Sequence, residues 1–377
     1  IAVAAAQRGL RVWISDTNSR VLQASVADCH RAIELPSSKN SVRAVDLRPV
    51  ESDAEWAECD LVIEAVLEKL AVKRRVLARV EPWLNSECVM ASNTSSLCIG
   101  DIAAALKHPG RLCGLHFLHP VAQRHVVEVV SSQHTSPQSL ARAMRCVSQL
   151  GKTAIRVQDR SGFVVNRLLM SYVVESMEML TEGATMAAVE KIATHLGMPI
   201  GPLAQIDQIG VDVVARVGAS FRKTAIERPA AGRLLMDLYD SGRWGCKTGC
   251  GFYRYPEGLG PCLDFEILPI IMRHVKKDRV PSHEEIRLRL GWTLVLEASR
   301  VLDEGVVGRI QDIDLATSGG LGFTGDIVRV FDWARRVGVD RLLGWCHGLK
   351  RSHPHLLPST GLRAMLQSSV EGLSRAA

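Results

Sequence analysis

Three segments of residues 91–130 indicate the fold: Ala91-Ser-Asn-Thr-Ser-Ser, Gly114-Leu-His-Phe-Leu-His-Pro-Val and Val126-Val-Glu-Val-Val. Each piece contains or follows an apolar run of strand length, and polar side chains accompany it: hydroxyls in the first, His116 in the second and Glu128 in the third. In an open parallel sheet, groups at the carboxyl ends of strands face the ligand crevice. The pattern therefore predicts that a hydroxyl, an imidazole and a carboxylate converge there.

Spacing alone leaves two interpretations of His116 and Glu128 open. A carboxylate can fix the tautomer of a histidine and make it a better base. Equally, His116 can be a hydrogen-bonded core histidine and Glu128 a solvated strand residue. A metal site made from His116, His119 and Glu128 is disfavoured, because residues three apart splay at a strand-end turn and no fourth ligand is evident. We therefore expect no metal.

Composition bounds the class of protein. The chain has 377 residues, 47% apolar and 23% charged, which is enough for two or three domains. The net charge of +6 is dispersed, and no basic stripe with interleaved aromatics predicts nucleic-acid binding. The charge would suit an anionic ligand, although a mildly basic surface explains it equally well.

Cysteine usage and targeting signals are also informative. The ten cysteines are scattered, as in reduced proteins, and the pair Cys246 and Cys250 has no second ligand pair that would indicate zinc. We find no signal peptide, no apolar run of transmembrane length and no peroxisomal tripeptide. We expect a soluble cytoplasmic protein without membrane insertion.

The first residues resemble the second half of a dinucleotide-binding unit. Residues 1–9 are an Ala-rich helical segment closed by Gly9, and residues 10–15 alternate as a strand that ends at Asp16, where such units place the acid that binds the ribose hydroxyls. No strand and no GxGxxG loop precede Ile1. We therefore expect the sheet to lack its first strand and the chain to bind a dinucleotide weakly, because the amides that hold the pyrophosphate are not in it.

The remaining periodicity predicts two kinds of architecture. Strands alternate with helices as far as residues 153–157, which favours a parallel sheet. From Gly162 onward the period is helical, with a rigid turn predicted at residues 197–202. Residues 284–337 repeat this arrangement, with Glu182-Gly183 answered by Glu304-Gly305. Such a repeat indicates two copies of one helical unit.

Several motifs together resemble the 3-hydroxyacyl-CoA dehydrogenase family, in that family's order and at its spacings. They are Asp60-Leu-Val-Ile-Glu-Ala-Val-Leu-Glu, Ala91-Ser-Asn-Thr-Ser-Ser-Leu, Gly114-Leu-His-Phe, Val127-Glu-Val and Ser161-Gly-Phe-Val-Val-Asn-Arg-Leu-Leu. Gly249-Cys-Gly-Phe-Tyr-Arg-Tyr and the second helical unit are similar to the dehydrogenase part of the multifunctional fatty-acid oxidation enzymes. The resemblance covers nearly the whole chain.

The resemblance implies a fold and a domain division. The expected fold class is an α/β Rossmann-type parallel sheet, N-terminally truncated, followed by two all-α helical domains related by duplication. The expected domains are an NAD-binding domain at 1–158, a first helical domain at 159–256 and a second at 257–377. The first helical copy is expected to face the chemistry, because it carries Asn166 where the second carries Leu288.

The resemblance also implies the catalytic residues. His116 would be the base that takes the hydroxyl proton, and Glu128 would orient it. Ser95 would hydrogen-bond the substrate oxygen, and Asn166 would contribute from the helical domain. From the residues alone, Ser95 can instead belong to a helix N-cap and Asn166 can be a polar cap.

The implied cofactor is NAD. The residues implied to bind it are Asp16 at the ribose and, towards the nicotinamide half, Ala65, Glu68, Lys73, Ser95 and His119. As lone residues, Glu68 and Lys73 would be an ordinary solvated helix start. The sequence departs from the family where Leu118-His119 replaces Phe-Asn, where Cys250 replaces a lysine, and in a shorter helical arm after Leu35.

The function that the resemblance implies is NAD-dependent oxidation of an L-3-hydroxyacyl-CoA to the 3-oxoacyl-CoA in fatty-acid β-oxidation. The partners would be an acyl-CoA thioester and either a second copy in a homodimer or other β-oxidation enzymes in a complex. The alternative is a catalytically impaired paralogue that acts as an acyl-CoA-binding or structural protein.

Overall fold

The computed structural model describes residues 1–34, 46–220, 228–276 and 279–374. The chain divides into two compact units, Ile1–Arg160 and Ser161–Ala377. The first unit combines strands and helices, and the second is mainly helical. The loop predicted at Pro36–Asn40, where the shortened arm would begin, lies outside the described residues. A division of the second unit at residue 256 stays a prediction.

The strands of the first unit form two sheets. They are β1 (Val12–Ile14), β2 (Leu47–Pro49), β3 (Leu61–Glu64), β4 (Val89–Ser92), β5 (Leu112–Phe117), β6 (Val126–Ser131) and β7 (Thr153–Gln158). Strand β1 pairs with β2, and the other five follow the order β3-β4-β5-β6-β7. Among the described residues no ladder joins β1 to β3.

The sheet is mostly parallel, as predicted, but β5 and β6 are antiparallel. The antiparallel pair is the departure of this sheet from the parallel pattern that the alternation of strands and helices favours. The connection at residues 118–125 is shorter than the dozen or more residues that a parallel crossover needs. Glu128 consequently does not lie at the carboxyl end of a parallel strand, but directly opposite His116 in the ladder.

The largest part of the core of the first unit lies between its five-stranded sheet and its last helix. The helices are α1 (Ala2–Ala6), α2 (Ser19–Glu34), α3 (Leu70–Val80), α4 (Ile99–Ala103) and α5 (Pro137–Gln149). Alternate residues of β4, β5 and β6 pack against Leu140, Ala143 and Val147 of α5. Every residue of these three strands is buried, as expected for strands covered on both faces.

The second unit consists mainly of helices. They are α6 (Val165–Thr181), α7 (Met186–His195), α8 (Pro202–Ile209), α9 (Val211–Ser220), α10 (Pro229–Asp240), α11 (Leu268–Met272), α12 (His283–Asp303), α13 (Ile310–Leu315), α14 (Val330–Val337), α15 (Val339–Gly348) and α16 (Thr360–Ser374). A short hairpin, β8 (Tyr253–Arg254) with β9 (Cys262–Leu263), follows α10. The turn predicted at residues 197–202 leads into α8, which the sequence analysis missed.

Helices α6 and α12 carry the same three charged residues at matching positions. The matches are Arg167 with Arg289, Glu175 with Glu297 and Glu182 with Glu304, all at one offset (289 − 167 = 122). Each arginine pairs with the two carboxylates of the other copy, and its Nε donates a hydrogen bond of 2.6 Å to Oε1 of one of them, Glu297 for Arg167 and Glu175 for Arg289. Such reciprocal pairing is what two copies of one unit produce around a pseudo-two-fold axis. It supports the predicted duplication.

Candidate active site

His116 and Glu128 form a buried pair across β5 and β6. They are register partners, and His116 Nδ1 lies 2.6 Å from Glu128 Oε2. Both side chains are almost completely withdrawn from solvent. An ionised carboxylate can only accept, so Nδ1 carries the hydrogen and the basic lone pair of the ring belongs to Nε2. The prediction that Glu128 orients His116 agrees with this geometry, and the interpretation of Glu128 as a solvated strand residue is wrong.

Gly114 allows the helix after β4 to pack closely on the strand that carries His116. A Cβ at this position would lie 2.8 Å from Val130 Cβ and 2.9 Å from Ile99 Cδ1. Both distances are shorter than real Cβ contacts, and strand backbone and helix would have to separate. Glycine therefore fixes the distance between β5 and the start of α4.

Residues 93–96, which we call the serine turn, connect the end of β4 to the segment before α4. Asn93 Oδ1 accepts a hydrogen bond from Phe117 N (2.9 Å), and Asn93 N donates to the Glu64 carbonyl (2.8 Å). Phe117 directly follows His116. The turn that carries Ser95 is thus tied to the strand that carries the candidate base.

Glu68 holds the serine turn through one carboxylate oxygen. Glu68 Oε1 accepts hydrogen bonds from the Thr94 hydroxyl, Ser95 N (3.1 Å), Ser96 N (3.2 Å) and the Ser96 hydroxyl (3.1 Å). Burial raises the pKa of Glu68, but the bonds from Thr94 and Lys73 outweigh it, so the pKa lies below its usual value. The structure gives Glu68 a role in shaping the turn that the sequence analysis did not foresee.

Lys73 is buried, so the alternative interpretation of it as part of a solvated helix start is wrong, and its predicted place on the nicotinamide side stays a prediction. Its side chain is 1% exposed, and Nζ lies 2.9 Å from Glu64 Oε1 and 3.1 Å from Glu68 Oε2. The sequence analysis quoted Glu64 inside a motif but assigned it no role. The available signal was an acid that ends a buried strand and precedes a lysine by nine residues.

Ser95 is exposed, and it is not the N-cap of the following helix. That position belongs to Cys98, and the carboxylate of Asp159 accepts hydrogen bonds from Ile99 N and Gly100 N. The N-cap explanation of Ser95 is therefore wrong. Its predicted role towards a substrate oxygen stays a prediction.

The other cofactor candidates of the first unit lie at strand ends or in a connection. Asp16 follows β1, is exposed, and its carboxylate accepts a hydrogen bond from Asn18 N (2.8 Å). Ala65 directly follows β3 and is exposed. His119 is an exposed residue of the β5–β6 connection. Their predicted contacts with NAD stay predictions.

Asn166 belongs to the second unit. It lies in the first turn of α6, is partly exposed, and follows the N-cap residue Val164 by two positions. Its counterpart in the second copy, Leu288, is buried in α12. The difference agrees with the expectation that the copies have different tasks.

Within the described ranges, no cluster of three or more His, Cys, Asp or Glu side chains is arranged to hold a metal ion. In the same ranges no helix is both long and apolar enough to cross a membrane.

Comparison with known proteins assigns the chain to a family. Residues 1–160 match the model of the 3-hydroxyacyl-CoA dehydrogenase NAD binding domain, and residues 162–255 match the model of the 3-hydroxyacyl-CoA dehydrogenase C-terminal domain. A fatty acid oxidation complex subunit alpha from Shewanella sp. (strain ANA-3) is 33% identical over 291 residues, which are 76% of this chain. The chain spans 41% of the length of that relative.

Two solved structures complete the comparison. FadB2 of M. tuberculosis is 33% identical, with a TM-score of 0.63, and the match covers 68% of this chain and 94% of that one. The 3-hydroxybutyryl-CoA dehydrogenase of Escherichia coli K12 has the same fold, with a TM-score of 0.78 at 22% identity over 98% of this chain and 96% of that one. Both domain models of the family match the chain, and FadB2, which is 33% identical, is covered over 94% of its length. The chain therefore belongs to the 3-hydroxyacyl-CoA dehydrogenase family.

Proposed function

We propose that the protein oxidises an L-3-hydroxyacyl-CoA to the 3-oxoacyl-CoA with NAD, as a step of fatty-acid β-oxidation. The observation that carries this proposal is the buried pair of His116 and Glu128, held 2.6 Å apart across β5 and β6. Oxidation of a secondary alcohol needs a base for the hydroxyl proton, and an imidazole with a fixed tautomer supplies one near neutral pH. The pair argues against a non-catalytic acyl-CoA-binding protein.

In this mechanism His116 Nε2 takes the proton of the substrate hydroxyl. Glu128 holds the ring through Nδ1 and stabilises the imidazolium that forms, as a carboxylate does in other His-based catalysts. The Ser95 hydroxyl donates to the substrate oxygen, and the serine turn keeps it in register with β5 through Asn93 and Phe117. A role of Asn166 in substrate binding belongs to the proposal as well.

The residues present fit a dinucleotide. The Asp16 carboxylate, exposed at the end of β1, can accept hydrogen bonds from ribose hydroxyls, and the small exposed Ala65 at the end of β3 leaves room for a ring. Glu68, Lys73, Ser95 and His119 would line the nicotinamide side, Lys73 through Glu68. NAD, when bound, supplies the hydride acceptor.

The comparison with the relative from Shewanella also supports a proposal about the proteins with which this protein assembles. The relative from Shewanella is named as a subunit of a fatty acid oxidation complex, so we propose that this protein acts next to other β-oxidation enzymes. A homodimer is the alternative assembly, and a cytoplasmic location belongs to the proposal as well.

The test is stereospecific turnover. The protein is mixed with a large excess of NAD, because weak dinucleotide binding is expected, and with either L- or D-3-hydroxybutyryl-CoA. NADH formation is followed by absorbance. We expect turnover of the L substrate, and we expect His116→Gln to lower it roughly 10²- to 10⁴-fold, the usual effect of losing a general base. The matched control is His125→Gln, since His125 is exposed just before β6. Its backbone carbonyl accepts from Thr153 N, and its side chain has no hydrogen-bond partner among the described residues.

Two results would contradict the proposal. If the protein binds acetoacetyl-CoA but never turns over the L substrate, it is the non-catalytic paralogue. If His116→Gln and His125→Gln are equally active, His116 is not the base.

A further inference from the structure

We propose that Glu64 is a positioning residue, which acts through Lys73 and Glu68 to hold the serine turn in the geometry that the reaction requires. The inference rests on the proposed function, because it concerns the turn that carries Ser95, whose role towards the substrate oxygen belongs to that proposal. Glu64 itself lies at the carboxyl end of β3 and does not reach solvent.

The contacts of Glu64 connect three elements. Oε1 accepts hydrogen bonds from Lys73 Nζ of α3 (2.9 Å) and from Val66 N (2.6 Å), and Oε2 accepts one from the Ser92 hydroxyl of β4 (2.6 Å). Glu64 and Ser92 are also register partners in the parallel ladder. A buried carboxylate is costly unless it is paired and hydrogen-bonded. Here both oxygens are engaged, so the position of the carboxylate is tightly fixed.

Lys73 transmits this position to Glu68. An ammonium group has three protons, and Lys73 Nζ has three acceptors: Glu64 Oε1, Glu68 Oε2 (3.1 Å) and the Val66 carbonyl (3.3 Å). Glu68 therefore uses one oxygen for Lys73 and the other for the serine turn. The route from Glu64 to Ser95 consists of direct contacts only.

The charges of Glu64, Lys73 and Glu68 determine how a change at Glu64 affects the serine turn. The cluster contains two carboxylates and one ammonium, so Lys73 divides its attraction between Glu64 and Glu68. Neutralising Glu64 leaves Glu68 as the remaining anionic partner, which draws it towards Lys73 and away from the turn. A shift of about 1 Å at a substrate-positioning group can cost on the order of 10²-fold in rate.

The experiment compares Glu64→Gln with Glu81→Gln. Glu81 is also buried and accepts two backbone hydrogen bonds, from Lys107 N (2.8 Å) and His108 N (2.7 Å), but it follows the opposite end of α3. Two quantities are measured in the intact protein: kcat and KM for L-3-hydroxybutyryl-CoA, and amide hydrogen exchange at Ser95 and Ser96. The milder variant Ser92→Ala removes one donor to Glu64 and serves if Glu64→Gln folds poorly.

We expect Glu64→Gln to lower kcat about 10- to 100-fold, with a smaller change in KM, and to speed exchange at Ser95 and Ser96. Ser92→Ala should change both in the same direction by less, and Glu81→Gln should change neither. In a Ser95→Ala background the effect of Glu64→Gln on kcat should disappear, because both act on one group.

Exchange at Ser95 and Ser96 that Glu64→Gln leaves at the wild-type rate would overturn the inference, whether or not the protein is active. Additive losses in the Glu64→Gln, Ser95→Ala double variant would overturn it as well. A wild-type protein without turnover would reject the proposed function instead, and amide exchange would still decide the role of Glu64.

Discussion

Glu128 of the first unit and Glu175 of the second are both fully buried carboxylates, yet their partners differ in kind. Glu128 faces His116 across two strands. Glu175 lies 2.6 Å from Arg289 Nε and 3.4 Å from Arg228 Nε. Burial raises the pKa of Glu175, but Arg289 and its neighbours outweigh it and hold the pKa well below its usual range.

The difference separates chemistry from structure. A guanidinium is charged at every relevant pH, so a carboxylate held between two of them keeps its charge and serves packing. An imidazole changes its charge near neutral pH, so the carboxylate beside it can assist a proton transfer. A buried carboxylate is therefore not evidence of catalysis by itself, and the partner decides its role.

Glu128→Gln tests the catalytic role of the Glu128 carboxylate. Of the variants that compare Glu128 with Glu175, it has the largest expected effect on rate. The amide can present NH₂ to Nδ1 and favour the other tautomer of His116, which takes the lone pair away from the substrate side. We expect kcat to fall roughly 10²- to 10⁴-fold while the protein stays folded. Steady-state kinetics and circular dichroism measure the two effects. Near wild-type turnover would remove Glu128 from the mechanism.

Glu175→Gln should have the opposite profile. Neutralising Glu175 leaves the buried Arg289 with Glu182 as its remaining close carboxylate and removes the carboxylate that faces Arg228, which costs up to about 3–5 kcal/mol of unfolding free energy. Urea unfolding measures this cost, and kcat of the folded fraction should be unchanged. The matched variant is Glu297→Gln, which removes the equivalent partner of Arg167 in the other copy. A loss below about 1 kcal/mol in both variants would contradict the structural role.

The sequence predicted the residues of the site that stand at recognised motif positions and missed the contacts that depend on burial and strand direction. The pairing of His116 with Glu128 was predictable, because both residues stand in recognisable strings. The antiparallel direction of β6 was not, since it depends on the geometry of a short connection. Lys73 looks like a helix-start residue in sequence, and its burial follows from an acid nine positions earlier on another element.

The helical unit shows the same limit. The repeat of Glu-Gly pairs predicted the duplication, because it needs one offset only. The pairing of Arg167 and Arg289 with glutamates of the opposite copy was not predicted. The residue pattern of one helix does not indicate which other helix it packs against. Helix α8 was missed because Gly197 to Pro202 hides its start among turn residues.

His355 allows the smallest and most specific test, by pH. Its Nε2 lies 3.2 Å from Glu175 Oε2, without the geometry of a hydrogen bond, and the Arg228 and Arg289 guanidiniums and the His353 ring are its charged or titratable neighbours. Burial lowers the pKa of His355 despite the attraction of Glu175. The folded state therefore binds this proton less readily than the unfolded state, so stability falls as the pH drops below the unfolded value of about 6.5.

We expect His355 to contribute a decline in the unfolding free energy between about pH 6.5 and 5. The difference between the wild-type and variant curves isolates it from the opposite contribution of Glu190, whose pKa burial raises to about 7. His355→Gln should remove the contribution of His355, because glutamine carries no titrating group. The change in unfolding free energy should be much smaller than the loss in Glu175→Gln. Urea unfolding at a series of pH values measures both curves. Parallel curves for the wild type and His355→Gln would show that His355 does not couple to folding, and would leave the arginines as the groups that determine the state of Glu175.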